Sequence, residues 1–270
     1  MAIKVFLLGR PGAGKSTAAR HMHVLSKEHD WSTLHINDYP FLFALFESDV
    51  QHQKFQPSSC GGFDVTDFSV LDTALQAVER EAERYLTCEQ QILLLEFARD
   101  DYRQALSQFK PEFLRDAYFL FFATDIDTCI TRVNRRSHHP IFRDDHFISE
   151  EMIRNYYHAE IPLQTYHLLH EYGVSEKCIR IIDNSGTQTH LHQQVQDFTE
   201  LLIQCKPNPK SHRIKERKAL KALQTSPIIH HLLMDTNVTR QKLLLAGSQV
   251  GNWQSSADQE CSTNLTNMLK

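Results

Sequence analysis

The chain has 270 residues, 41% of them hydrophobic and 23% charged, with 29 Lys/Arg against 33 Asp/Glu and a formal net charge of −4. That is an ordinary globular composition, and no apolar run approaches the roughly 18 residues of a membrane helix. The six cysteines include no CxxC pair and the 16 histidines are dispersed, so neither a disulfide frame nor a zinc site is expected, and reduced thiols point to the cytoplasm.

The N-terminus runs straight into the apolar segment Ile3 to Leu8, a strand to be covered on both faces. It reads as part of the fold and not as a signal peptide. The strand enters Gly9-Arg10-Pro11-Gly12-Ala13-Gly14-Lys15-Ser16-Thr17, which matches the phosphate-binding pattern G-x-x-x-x-G-K-[ST] in full. Glycines let successive backbone N–H groups turn toward one anion, and the helix that follows adds its positive end. Lys15 is expected to reach the β- and γ-phosphates and the Ser16 hydroxyl to hold Mg²⁺. A helix over about 15–29 follows, then a strand from Trp31 to Ile36 ending in Asn37-Asp38-Tyr39-Pro40, where Pro40 is expected to halt regular structure. The aromatic run Phe41 to Phe46 reads as a helix on the core that can also wall a flat or apolar substrate. Residues 51–64 read as a polar loop. A helix with Thr66 as N-cap carries Phe68, Leu71, Leu75, Val78, Ala82 and Tyr85 at helical spacing.

Gln91 to Phe97 is the third strand and brings Glu96 to its carboxyl end, the edge where parallel sheets bind ligands. Ala117 to Ala123 is the fourth strand. The helix opened by Asp125-Ile126-Asp127 turns Ile126, Ile130 and Val133 inward and displays Arg132, Arg135 and Arg136. A long helix is expected from Ser149 through Ile161, broken at Pro162. Ile179 to Asp183 is the fifth strand, followed by Asn184-Ser185-Gly186 and a last helix.

This alternation predicts an α/β fold: a P-loop NTPase three-layer α/β/α sandwich on a five-stranded parallel sheet, spanning 1–205. Residues 1–205 carry 19 Lys/Arg against 29 Asp/Glu, whereas 206–270 carry 10 against 4. The second stretch therefore reads as a basic, partly disordered C-terminal extension.

Several chemistries use such a loop. The guanine-reading Asn/Thr-Lys-x-Asp segment is missing at the strand ends, and the third strand ends in a single Glu rather than the Asp-Glu of motor ATPases. Arg132 and Arg136 are placed to neutralise a transferring phosphoryl group. Asp38 and Glu96 are both candidates for the carboxylate that orients or deprotonates an attacking hydroxyl. Together, Gly9 to Thr17, Glu96-x-x-Arg99, the arginine helix and Asp183-Asn184-Ser185-Gly186 resemble the nucleoside and nucleotide kinase group of P-loop proteins. The resemblance implies an ATP- and Mg²⁺-dependent kinase acting on a small acceptor, a nucleoside or a nucleotide. It implies the base role for Glu96 or Asp38, phosphate contacts for Arg132 or Arg136, and substrate contacts for Asp38, Tyr39, Phe43 and Arg99. It also sets Asn184 and Gly186 against adenine. The third strand here ends in Glu-Phe-Ala-Arg, two residues longer than the group's Glu-Arg-Ser. Two alternatives stand beside it. One is a polynucleotide-end kinase whose basic tail holds nucleic acid; the other is a nucleotide-binding regulatory ATPase without a small acceptor. No membrane partner is expected, and the sequence carries no signal of oligomeric state.

Overall fold

A computed structural model describes residues 1–58, 62–138, 141, 146–157 and 169–205. Five strands form one sheet: β1 (Ile3–Gly9), β2 (Ser32–Asn37), β5 (Gln91–Phe97), β6 (Ala117–Ala123) and β7 (Ile179–Asp183). Their order is β2-β5-β1-β6-β7, and every neighbouring pair is parallel. The three central strands are buried nearly throughout, which is why they read as continuous apolar runs.

Alternation along β1 separates two cores. Ile3, Val5 and Leu7 meet α1 (Lys15–Glu28) and α8 (Gln188–Cys205) through Ala18, Met22, Leu191 and Val195. Phe6 and Leu8 face the other way, toward α3 (Ser69–Glu83), α4 (Tyr102–Ser107) and α5 (Pro111–Arg115). On that side Phe6 stacks on Phe119 with ring centroids 4.8 Å apart. Each such fully buried side chain contributes about 1.5–3 kcal/mol. The three layers are therefore helices, parallel sheet and helices.

A smaller apolar cluster joins α2 (Tyr39–Ser48), the start of α3, and an antiparallel ribbon of β3 (Phe55–Pro57) and β4 (Phe63–Val65). Three of the sequence expectations are corrected here. The stretch 51–64 contains these two strands and is not simply a loop, because Phe55 and Phe63 are buried against α2 and α3. Pro40 does not halt regular structure. It sits in the first turn of α2, where its missing N–H costs nothing. Thr66 is not the N-cap of α3 either. The helix begins after Phe68, and Asp67 receives the Ser69 N–H.

Two further helices stand beside the sheet, α6 (Ile126–His138) and α7 (Glu150–Asn155), joined by Ile130, Val133 and Ile153. The helix expected from Ser149 is capped by the Ser149 hydroxyl and stops at Asn155; Ile161, Pro162 and the whole stretch 206–270 lie outside the described residues. No helix among the described residues is long and apolar enough to cross a membrane.

β1 sends its connection through α1 toward β2, while β6 sends its own through α6 toward β7. Parallel sheets bind ligands outside the carboxyl ends of strands where connections diverge in this way. That edge carries Gly9, Asp38, Glu96 and Asn184.

Candidate active site

A cleft of about 690 Å³ opens along this edge. The phosphate loop forms one end. Gly12 and Gly14 have φ of 81° and 101°, which favours glycine. A Cβ on Gly12 would collide with the backbone carbonyl of Cys129, and one on Gly14 with the Asn184 amide. The loop is thus built against α6 on one side and the end of β7 on the other.

Lys15 donates to the carbonyls of Gly9 and Arg10, each at 2.9 Å. Its Nζ stands 4.0 Å from Glu96 Oε1. Burial pushes the Lys15 ammonium below its usual pKa, and Arg136 adds to that, while Glu96 opposes it. Ser16 Oγ donates to Glu96 Oε1 at 2.8 Å, and His35 Nε2 lies 2.8 Å from Glu96 Oε2. Burial alone would raise the Glu96 carboxyl, but the His35 bond, the Lys15 charge and the Ser16 bond outweigh it and hold it below the usual range.

The other buried carboxylate, Asp38, follows β2, and its N–H donates to the Glu96 carbonyl at 3.1 Å. Arg99 Nη1 donates to Asp38 Oδ2 and to the Ala98 carbonyl, both at 2.6 Å, and Nη2 donates to the Leu71 carbonyl at 3.0 Å. Lys15, Asp38, Glu96 and Arg99 are each at most 7% exposed. Charges this deep persist only when paired. Burial pushes Asp38 up, and the Arg99 guanidinium works against it.

Beyond Asp38 the cleft turns aromatic. Tyr39 stacks between His146, at 3.8 Å, and Phe63, at 5.9 Å between ring centroids. Phe68 stacks on Tyr156 at 4.8 Å, and Asp64 and Met152 complete this wall. At the loop end, Arg20, Arg132, Arg135 and Arg136 line the cleft. Arg132 Nη2 donates to the Asn184 carbonyl at 3.0 Å, and Nη1 is buried with no hydrogen-bond partner among the described residues.

Sheet order, phosphate loop and flanking helices together make a P-loop α/β/α fold. No protein-family model and no curated protein matches the chain. Among solved structures it is similar to shikimate kinase from Acinetobacter baumannii in complex with shikimate, at 14% identity and a TM-score of 0.42, over 77% of this chain and 97% of that one. It is also similar to the Mycobacterium tuberculosis APS kinase CysC in complex with AMPPNP and APS, at 13% identity and a TM-score of 0.45, over 74% and 97%. Chaetomium thermophilum Kti12 in complex with ADP-AlF3 matches at 15% identity and a TM-score of 0.46, over 72% and 95%.

Of the residues singled out in the sequence, Pro11, Gly12, Gly14, Lys15, Ser16 and Thr17 line the cleft, as do Asp38, Tyr39, Glu96, Arg99, Arg132, Arg136 and Asn184. Others do not. Gly9 and Ala13 shape the loop from behind. The Arg10 side chain turns away, donating to the carbonyls of Tyr157 at 2.7 Å and Thr124 at 3.1 Å. Phe43 is 38% exposed and meets Tyr39 and Phe46 in tilted ring contacts with centroids about 6 Å away. Gly186 lies past the cleft, near His190. The Asn184 amide is committed to the loop, donating to the Ala13 carbonyl at 2.8 Å.

Sequence reading missed His35, Met152 and the Phe68–Tyr156 stack. The clue to His35 was period two: Thr33, His35 and Asn37 share a face of β2. The donor set at Ser16 and Glu96 suits Mg²⁺, which takes one or two protein oxygens and keeps most of its waters. Among the described residues no group of three or more His, Cys, Asp or Glu gathers as a metal cage, and Mg²⁺ needs none.

Proposed function

We propose that this protein is an ATP- and Mg²⁺-dependent phosphotransferase that moves the γ-phosphoryl group of ATP to a hydroxyl of a small, uncharged acceptor with a flat or apolar body, a nucleoside before a nucleotide. One observation carries this. The phosphate loop and a buried carboxylate, Asp38, open on the same cleft, with cations at the loop end and aromatic rings beyond Asp38. Among the described lining residues of the acceptor end the cation is Arg99, and Asp38 already holds it. A phosphorylated acceptor would meet Asp38 and Asp64 there.

The residues divide the work. Lys15 exchanges the Gly9 and Arg10 carbonyls for β- and γ-phosphate oxygens. Arg132 Nη1, a buried donor in want of an acceptor, and Arg136 neutralise charge on the transferring group. Ser16 would hold the metal, with Glu96 behind it; Mg²⁺ bound there would screen the phosphate charge. That assigns Glu96 to the metal side and Asp38 to the acceptor. Arg99 occupies Oδ2 of Asp38, and Oδ1 receives the acceptor hydroxyl. Because the transition state is loose, Asp38 orients the nucleophile first and takes its proton late.

A panel of nucleosides, nucleotides, sugars and other alcohols, assayed for acceptor-dependent ADP release, tests this reading. A neutral alcohol should stimulate release. Stimulation by no acceptor, with slow hydrolysis alone, favours the regulatory ATPase; stimulation by oligonucleotide ends alone favours the end kinase. Lys15→Ala should weaken ATP binding by about 100-fold, since charge-assisted bonds contribute about 1.5–3 kcal/mol each. Unchanged ATP affinity in that variant would remove the loop from the mechanism.

A further inference from the structure

His35 belongs to no motif, yet it lies 2.8 Å from a buried carboxylate oxygen of the cleft. In the sheet, Asn37 pairs with Glu96 and His35 with Leu94. Side chains of paired parallel residues share a face, and that face is the one α1 covers, since Leu94 packs with Ala18, Ala19 and Met22. His35 thus reaches diagonally from the edge strand to Glu96 on the neighbouring one. Its side chain is 30% exposed while that of Glu96 is 7% exposed, so the imidazole closes the outer flank of a buried carboxylate.

The two oxygens of Glu96 have different partners. Oε1 accepts from Ser16 and Oε2 meets His35. An ionised carboxylate only accepts, so His35 Nε2 carries the proton of that bond. Glu96 has one more rotatable bond than an aspartate would have. Held at one oxygen, it could swing and close the 4.0 Å gap to Lys15, and a carboxylate on that ammonium competes with phosphate.

We propose that His35 is a positioning residue of the phosphoryl-transfer site: by anchoring Oε2 of Glu96 it keeps Oε1 on the Ser16 hydroxyl and off Lys15. The inference rests on the reading of the loop as a Mg²⁺–nucleotide site. Outer partners of this kind change metal affinity or activity by about 10–100-fold when removed.

The test is calorimetric titration of ADP with and without Mg²⁺, on wild type, His35→Ala and His35→Gln. Wild type should bind ADP more tightly with Mg²⁺. In His35→Ala that gain should shrink by about 10-fold or more. His35→Gln, which keeps an N–H donor, should recover most of it. The three proteins should share the same thermal unfolding midpoint to within a few degrees. A full Mg²⁺ gain in His35→Ala, or equal damage in both variants, overturns the inference and leaves the loop assignment standing. A wild type whose ADP affinity ignores Mg²⁺ overturns both.

Discussion

Replacing Arg99 by Met is the sharpest probe of how the acceptor end is held. The substitution keeps a long apolar stem and removes the guanidinium. Asp38, at 7% exposure, then stays buried without its partner, and the Leu71 carbonyl loses the donor at 3.0 Å. Breaking a buried ion pair from one side costs about 3–5 kcal/mol. With a urea m-value of about 2 kcal/mol/M, the unfolding midpoint should fall by roughly 1.5–2.5 M. The loss should depend on pH in a definite direction. Burial raises the Asp38 carboxyl in the folded state, and without Arg99 it rises further. The native state then binds more protons than the unfolded one between the two pKa values, so stability falls as pH rises through that window and recovers as pH falls through it. Urea melts at pH 5 and pH 8 should show the variant's deficit shrinking at the lower pH. Asp38→Asn combined with Arg99→Met should regain most of the loss. A deficit under about 1 kcal/mol, or one equal at both pH values, would refute the picture of a buried pair dependent on its mutual charge.

Two other predictions address the chemistry. In the wild type, kcat/KM should fall on the acid side with an apparent pKa above the ordinary aspartate value of about 4, because Asp38 must be ionised to receive the acceptor hydroxyl and burial raises it; Asp38→Asn should remove that limb along with most of the rate, and a limb that survives in the variant assigns it elsewhere. Asn184→Ala should cost about 0.5–1.5 kcal/mol in thermal or urea melts, since it leaves the Ala13 carbonyl with only the longer 3.3 Å bond from the Thr124 hydroxyl, and should weaken ADP binding through the loop; a variant with unchanged stability and affinity would show that the loop keeps its shape without the Asn184 amide.

The five sheet strands were legible because buried parallel strands are long apolar runs bounded by polar turns. Ile3 to Leu8 and Ile92 to Leu95 admit no other assignment once the loop follows the first. The β3–β4 ribbon was hidden for the opposite reason. Its strands have three residues each, too short for alternation to show, and only tertiary packing on α2 and α3 buries Phe55 and Phe63. Pro40 misled because a proline after a strand suits a turn and the first turn of a helix equally well. Asn37 decides the matter by accepting the Tyr39 N–H at 2.9 Å. At the site, residue types were readable but their pairings were not. Asp38 and Glu96 looked like equivalent strand-end carboxylates. Only the distances from Ser16, His35 and Arg99 separate a carboxylate turned to the loop from one paired with an arginine toward the aromatic end of the cleft.

The bond from Asn184 to Ala13 also bears on when the loop acquires its form. It joins positions 171 residues apart, and β7, which carries Asn184 to its place, is the last strand of the sheet to be made. At about 5–20 residues per second, synthesis of the intervening chain takes roughly 10–30 s. During that interval a nascent chain displays its glycine-rich loop without the amide that braces it. On the proposed reading, nucleotide capture would then favour a chain whose sheet is complete over one still being made.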